Sequence, residues 1–193
     1  MKLFIFDMGG VVVDNFNVRP KIAEFFGKDE SFFKDKKFHE LFNLIMAGKI
    51  SEENFWIEFC DIAKLENKGN IWGKFFKPIL KKDTINLIKD LKKNYRVICG
   101  TNTLQAHYNI HKNNGDYDVF DDVYASHIIH LVKPDKEFFK YILNEENIEA
   151  KDVFFIDDYE ENVQSASEIG IKAIHFDNAK NVRLKLKEFI LFK

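Results

Sequence analysis

Three aspartates stand directly after apolar runs: Asp7 after Leu3-Phe4-Ile5-Phe6, and Asp157-Asp158 at the end of Val153-Phe154-Phe155-Ile156. Thr101-Asn102 follow Val97-Ile98-Cys99-Gly100 in the same way, and Lys133 comes soon after the short extended stretch 123–125. Short apolar runs closed by polar or glycine residues mark strands buried on both faces. In open parallel sheets, ligands bind beyond the carboxyl ends of such strands. The runs therefore predict one sheet edge that carries three carboxylates, an ammonium and a hydroxyl/amide pair. Carboxylates so crowded repel one another unless a cation joins them. No Cys/His cluster accompanies them, and hard oxygen donors of this kind select Mg²⁺, held by one or two carboxylates together with a phosphate oxygen. Lys133 supplies positive charge, and Thr101 and Asn102 supply neutral donors. Together they read as a clamp for a phosphoryl group, whose transfer depends mainly on positioning and electrostatic stabilisation. A carboxylate such as Asp7 can also attack phosphorus itself. Each piece alone is ordinary: Lys133-Pro134-Asp135 is a common helix start, and an Asp-Asp pair often caps a helix. Their order and joint placement carry the reading.

The elements that must position these groups are legible as strands at 3–6, 96–100, 123–125, 153–156 and 173–176. Amphipathic helices are expected at 84–93, 104–112, 135–143 and 160–169, with a further helix near the C-terminal end. Gly170 is a suitable residue to end the helix before it. Alternating strands and helices imply an α/β fold, a doubly wound parallel sheet with right-handed crossovers. Residues 17–78 break the alternation and read as helical throughout. Phe38, Leu41, Phe42, Ile45 and Met46 repeat at helical spacing, as do Phe55, Trp56, Phe59, Ile62 and Ala63. Ser51 is a good N-cap, with Glu52 and Glu53 in the positive first turn that follows. The expected organisation is a Rossmann-like core from 1–16 plus 79–193, with an inserted helical-bundle cap at 17–78. Linkers near 14–16 and 78–84 would let the cap close, and the loop Gly48-Lys49-Ile50 is free to face a ligand.

Charge and composition exclude several other classes. Lys and Arg number 29 against 31 Asp and Glu, for a formal charge of −2, so there is no basic face for nucleic acid. No apolar run approaches the ~20 residues of a membrane span. Asp7 cuts short the apolar stretch at residue 3 onward, which reads as a strand rather than a leader peptide. Cys60 and Cys99 both lie in apolar stretches outside any CxxC pair and are expected to be free buried thiols in a reducing cytoplasm. The expected partner is a small phosphorylated metabolite, with no nucleic acid or membrane, and the chain is expected to be a monomer or homodimer. His107 and His111 are four apart on an expected helix and are read as a solvated face.

Over nearly its whole length the sequence resembles the haloacid dehalogenase superfamily. The motifs FIFDMGGVVVD, VICGTNT, HLVKPD and VFFIDDYEENV carry the likeness, in order and at matching spacing, and the insert after the first motif resembles a four-helix cap. GKISEENFW, TNT and SHIIHLVKPD look closest to bacterial sugar phosphatases acting on α-glucose 1-phosphate. The resemblance implies a Mg²⁺-dependent phosphatase working through an aspartyl-phosphate. Asp7 is then nucleophile and metal ligand, Thr101 and Asn102 hold phosphate oxygens, and Lys133 stabilises the negative charges. Asp158 is the direct metal ligand of the pair, and Asp157 supports Lys133 or a metal-bound water.

One position departs from the pattern. Most phosphatases of the superfamily carry a second Asp two residues after the nucleophile, as general acid and base; here it is Gly9, whose carbonyl can still reach the metal. General acid–base help is worth ~10²–10⁴-fold in rate. Three explanations are open: a good leaving group, as in a sugar 1-phosphate; a substitute acid such as Asp14 or a cap side chain; or a weakly catalytic ligand-binding or regulatory protein. The superfamily's metal-independent 2-haloacid dehalogenases also lack this Asp and use an Arg to accept the substrate carboxylate; Arg19, the one Arg before Arg96, is the candidate for that alternative. The intact Asp157-Asp158 pair argues against it, because without a metal it is surplus repulsive charge.

Overall fold

β1 (Leu3–Phe6) is buried at every residue, as its unbroken apolar run requires. In the computed structural model, which describes residues 2–190, it is the centre of a five-stranded sheet. In chain order there follow β2 (Val13–Asp14), α1 (Arg19–Phe25), α2 (His39–Met46), α3 (Glu52–Ala63), β3 (Ile79–Leu80), α4 (Lys82–Lys92), β4 (Arg96–Thr101) and α5 (Gln105–Asn114). The chain continues with β5 (Val123–Ala125), α6 (Ser126–Ile129), α7 (Lys136–Glu145), β6 (Val153–Asp157), α8 (Glu160–Glu168), β7 (Lys172–His175) and α9 (Ala179–Leu186). The sheet order is β5-β4-β1-β6-β7, and every pairing is parallel. This is the doubly wound, Rossmann-like arrangement that the alternation predicts.

Side chains leave the sheet alternately on its two faces. Phe4 and Phe6 join Val97, Cys99, Phe154 and Ile156 on one face, covered by α4 and α9 through Leu87, Ile88, Leu91, Val182 and Leu186. Leu3 and Ile5 join Ile98, Val153 and Phe155 on the other, covered by α7 and α8 through Phe138, Phe139, Ile142 and Ala166. The register pairs Phe6 with Cys99 on one side and with Ile156 on the other. The three central strands therefore end level, and Asp7, Gly100 and Asp157 meet at one edge. Connections leave β1 and β6 in opposite directions, so the crevice between them is the switch point of the sheet.

Between β2 and β3 the chain builds a third cluster. Phe38, Phe42, Phe55, Trp56, Phe59 and Trp72 are its centre, and Leu104 from the sheet side is buried in it too. This segment is less uniformly helical than its apolar spacing predicts. It contains three α-helices and three short 3₁₀ turns, with irregular chain at 65–71. Ser51 caps α3 as expected, its Oγ accepting from Asn54 N at 3.1 Å. The expected linkers are not free strands of chain. β2 and β3 pair antiparallel, Val13 with Leu80 and Asp14 with Ile79, and so tie entry and exit of the helical segment together. Two-residue strands are too short to leave a periodic signal in sequence.

Candidate active site

Lys133 is the hub of the edge where the strands end. Its Nζ lies 2.7 Å from Asp7 Oδ1, 2.7 Å from Asp157 Oδ2 and 2.9 Å from Gly100 O. All three donor directions of the ammonium are used, and the side chain is almost wholly buried. Burial alone would lower the Lys133 pKa, but Asp7 and Asp157 outweigh it and hold the ammonium protonated, above its ordinary range. Asp7 shows the opposite balance. Burial raises its pKa to about 7, against the pull of Lys133, and the charge of Asp157 adds to the rise. Asp158 is also raised, by burial and then by Asp157.

The two members of the acidic pair are held differently. Asp157 is fully buried; its Oδ1 accepts from Tyr159 N at 2.8 Å, and Asn162 Nδ2 lies 3.0 Å from both of its oxygens. Asp158 keeps a buried Oδ1 with no hydrogen-bond partner among the described residues. An unsatisfied buried carboxylate oxygen is costly. One oxygen from each of Asp7, Asp157 and Asp158 lies within 4.8 Å of the others. Three carboxylates against one ammonium, with one oxygen unsatisfied, are a donor set suited to a hard divalent cation. Gly10 makes the crowding possible: at φ 74°, a Cβ there would fall 2.1 Å from Asp158 Oδ2. Only glycine tolerates both that conformation and that approach.

The cluster opens on a cavity of about 400 Å³ between the sheet edge and the helical segment. Asp7, Gly9, Asn102, Thr103 and Lys133 form its floor, and Phe42, Ile45, Met46 and Trp72 face them from the helical segment. Asn17, Arg19, Tyr159 and Glu161 supply most of the remaining polar wall. Of the pair expected here, Asn102 borders the cavity, whereas Thr101 is buried at the end of β4 and Thr103 borders the cavity in its place. The Asn102 amide is engaged with the main chain of Lys133: Nδ2 donates to Lys133 O (2.8 Å), and Oδ1 accepts from Lys133 N (2.9 Å). It thus clamps the end of β4 to the loop that delivers the lysine.

Several expectations need correction or sharpening. His107 and His111 do share a helix face, but not a solvated one. His107 stacks on Phe76 with ring centres 3.9 Å apart, and its Nε2 lies 3.2 Å from Trp72 O. Burial lowers its pKa to about 4, so it is neutral at pH 7. His111 is buried with Nδ1 2.8 Å from Asp116 Oδ2. The inserted segment covers this face, which a polar spacing pattern cannot reveal. Asp14 is exposed, pairs with Lys81 at 3.0 Å and does not line the cavity, so it is poorly placed as a substitute acid. The loop at Gly48 turns away as well; a Cβ on Gly48 would meet His127 O at 2.1 Å. Cys60 and Cys99 are buried and free.

Sequence reasoning missed Asn162 and Phe16. Asn162 stands five residues after Asp157 in the first turn of α8, a position that looks like ordinary helix surface. Phe16 lies across Gly9: a Cβ on Gly9 would sit 2.8 Å from Phe16 Cδ2. Arg19 lines the cavity and stacks over Phe42, its Cζ 4.9 Å from the ring centre. No described helix is long and apolar enough to cross a membrane.

Comparison with known proteins places this geometry in context. A model for "haloacid dehalogenase-like hydrolase" matches residues 1–170. A D-ribitol-5-phosphate phosphatase of Bacteroides thetaiotaomicron is 25% identical over 205 aligned positions, covering 96% of this chain and 97% of that protein. A magnesium complex of a HAD-family enzyme from the same organism superposes with a TM-score of 0.74 at 25% identity, over 92% of this chain and 93% of the other. A HAD-like hydrolase of Porphyromonas gingivalis shares the fold, with a TM-score of 0.77 at 21% identity over 97% of both chains.

Proposed function

Because the chain belongs to the haloacid dehalogenase-like hydrolase family, we propose that it is a Mg²⁺-dependent phosphatase of small phosphomonoesters, with Asp7 as nucleophile. The observation that carries this reading is the cluster of Asp7, Lys133, Asp157 and Asp158 at the switch point, opening on a cavity of metabolite size. Asp7 and Asp158 would hold the metal, with the Gly9 carbonyl beside them, and Asp157, whose oxygens are engaged by Lys133, Tyr159 N and Asn162, would stand behind them. When bound, Mg²⁺ would neutralise charge on the phosphate and on the carboxylates. The relative that acts on D-ribitol 5-phosphate supports a phosphorylated polyol or sugar as the substrate class.

The chain's own residues would act as follows. Lys133 engages Oδ1 of Asp7, which leaves Oδ2 free to attack. Attack forms the Asp7–phosphorus bond and breaks the bond from phosphorus to the leaving oxygen, which departs and takes a proton from solvent water. Water then attacks phosphorus, regenerating the Asp7 carboxylate and releasing orthophosphate. Lys133 stays protonated throughout and stabilises negative charge on Asp7 and phosphate. Asn102 and Thr103 line the end of the cavity that would take the phosphate, with Thr101 buried behind them. Asn162 and Tyr159 N fix Asp157, which in turn aims Lys133.

Gly9 bears on the substrate. Phe16 fills the space a side chain there would need, so no acid stands two residues after the nucleophile. A leaving group that departs without much protonation, such as the anomeric oxygen of a sugar 1-phosphate, suits this arrangement. The 2-haloacid dehalogenase alternative draws on Arg19 at the cavity wall, but it leaves the unsatisfied Asp158 Oδ1 without a purpose. A screen of phosphorylated sugars and polyols, with Mg²⁺ and with EDTA, tests the proposal. Metal-dependent phosphate release that Asp7→Asn abolishes is the expected result. Halide release from a 2-haloacid without metal, or substrate binding with no turnover, would replace it with one of the alternatives.

A further inference from the structure

Helix α5 starts directly after the cavity-lining residues Asn102, Thr103 and Leu104, yet its N-cap residue, Leu104, has no side chain able to cap it. The acceptor comes instead from the helical segment. Glu52 Oε1 accepts from Ala106 N at 2.7 Å, across 54 positions of sequence. Its other oxygen accepts from Asn70 Nδ2 at 2.6 Å, and Asn70 Oδ1 accepts from Trp72 N at 3.2 Å. Trp72 O faces His107 Nε2, the next residue of α5, and the Leu104 side chain is buried in the aromatic cluster of the helical segment. Thr103 is tied the same way at one remove. Its N–H donates to Ser126 Oγ (3.0 Å), which donates to Met46 O (2.7 Å).

The run 103–107 is thus held at four points by residues that belong to the helical segment or lean on it. Asn102, at the head of the run, clamps Lys133. From this chain of contacts we propose that Glu52 is a positioning residue: it caps α5 from across the cleft and so couples the seat of the helical cap to the loop that lines the phosphate end of the cavity. A carboxylate is the right group for the task. It carries two acceptor oxygens, one for each of two donors, and its charge complements the positive end of α5. The consequence for turnover rests on the phosphatase reading; the contact itself does not.

Glu52→Ala removes the cap, whereas Glu52→Gln keeps an oxygen for Ala106 N. Both variants are assayed with Mg²⁺ well below their unfolding temperatures, for KM, kcat and inhibition by inorganic phosphate. Amide exchange over residues 102–107 is followed in parallel. For Glu52→Ala, KM and the phosphate inhibition constant are expected to rise about 2- to 30-fold, the range a lost N-cap spans, with kcat changed by no more than about twofold, because bound ligand restores the loop's order. Exchange over 102–107 should quicken, and Glu52→Gln should remain within about threefold of the parent. A folded Glu52→Ala protein with unchanged KM and exchange overturns the proposal, as does equal impairment of the two variants. Failure of the phosphatase reading is separate: the parent itself would then show no turnover, and the exchange comparison alone would decide.

Discussion

Replacing Gly9 probes the feature that most sets this site apart. A Cβ at Gly9 would lie 2.8, 3.1 and 3.2 Å from three ring atoms of Phe16. Phe16 cannot yield freely, because its ring packs both against the sheet cluster and against the aromatic cluster of the helical segment. Overpacking of this kind costs about 1–3 kcal/mol. At roughly 2–4 °C per kcal/mol for a chain of this size, Gly9→Ala should lower Tm by about 2–12 °C. Gly9→Asp should suffer the same loss and gain no rate, since its carboxyl enters only by displacing the ring. Phe16→Ala removes a half-buried ring and should cost about 1–2 kcal/mol, well under the 3–5 of a fully buried phenylalanine. With Mg²⁺ present to offset the added carboxylate, the overlap vanishes in Gly9→Asp/Phe16→Ala, so the double variant should be no less stable than Phe16→Ala, a coupling of about 1–3 kcal/mol. If a missing acid limits turnover, this double variant should gain at least about tenfold in kcat/KM on alkyl phosphates, and little on p-nitrophenyl phosphate, whose leaving group needs no proton. Thermal melts and initial rates on the two substrate types are the assays. Additive stability effects, or a Gly9→Ala protein that melts with its parent, would refute the steric argument. A coupled cycle with no rate gain would instead assign proton delivery to another wall residue, of which Glu161 and Tyr159 are the protic candidates.

Four further predictions concern charge. Asp7 has a folded pKa raised to about 7 from 3.8, so without metal its contribution to stability is full below pH ~4 and is lost as pH rises through 7; Tm measured against pH without Mg²⁺ should fall over that window. Added Mg²⁺ should raise Tm more at pH 8 than at pH 5, because protons compete with the metal for the same carboxylates. Asp158→Asn removes a buried repulsive charge, so the metal-free protein should melt higher while its Mg²⁺-induced shift and its phosphate release fall sharply. Lys133→Met leaves two buried carboxylates without their shared ammonium and should cost about 3–5 kcal/mol at pH 7, with the deficit shrinking as acid protonates them; urea titrations at pH 7 and pH 5 measure it.

How much of this was legible in the sequence depends on what each residue answers to. Asp7, Asp157 and the end of β4 answer to the sheet. Their runs are apolar because both sheet faces are covered, and parallel pairing leaves their ends level. Spacing along the chain therefore carried nearly all the information about which edge they share. The helical segment answers to other rules. Its apolar stripes foretold helices, but not the irregular stretch at 65–71 nor the pairing of Asp14 with Ile79, because neither has a repeat long enough to read.

The residues hardest to read are those whose environment is made by a distant part of the chain. His107 and His111 have the spacing of a wet helix face, and they are dry because Trp72 and Phe76 lie over them. Glu52 looks like a first-turn acid serving its own helix, yet its two partners are the side chain of Asn70 and the amide of Ala106, on another helix. Phe16 looks like a linker residue, yet its ring occupies the place of the side chain that Gly9 lacks. All three lie where the helical segment meets the sheet edge. A single sequence states what each element prefers, and this seam is where two sets of preferences are satisfied together. Lys133 is the contrasting case. Its position after the third strand was legible, and its dense set of partners follows from the level strand ends beside it, since Asp7, Gly100 and Asp157 leave its ammonium only one place to sit. The groups at the floor of the cavity are therefore placed by the sheet, while the wall above them is placed at the seam, by Phe16, Arg19 and the start of α5.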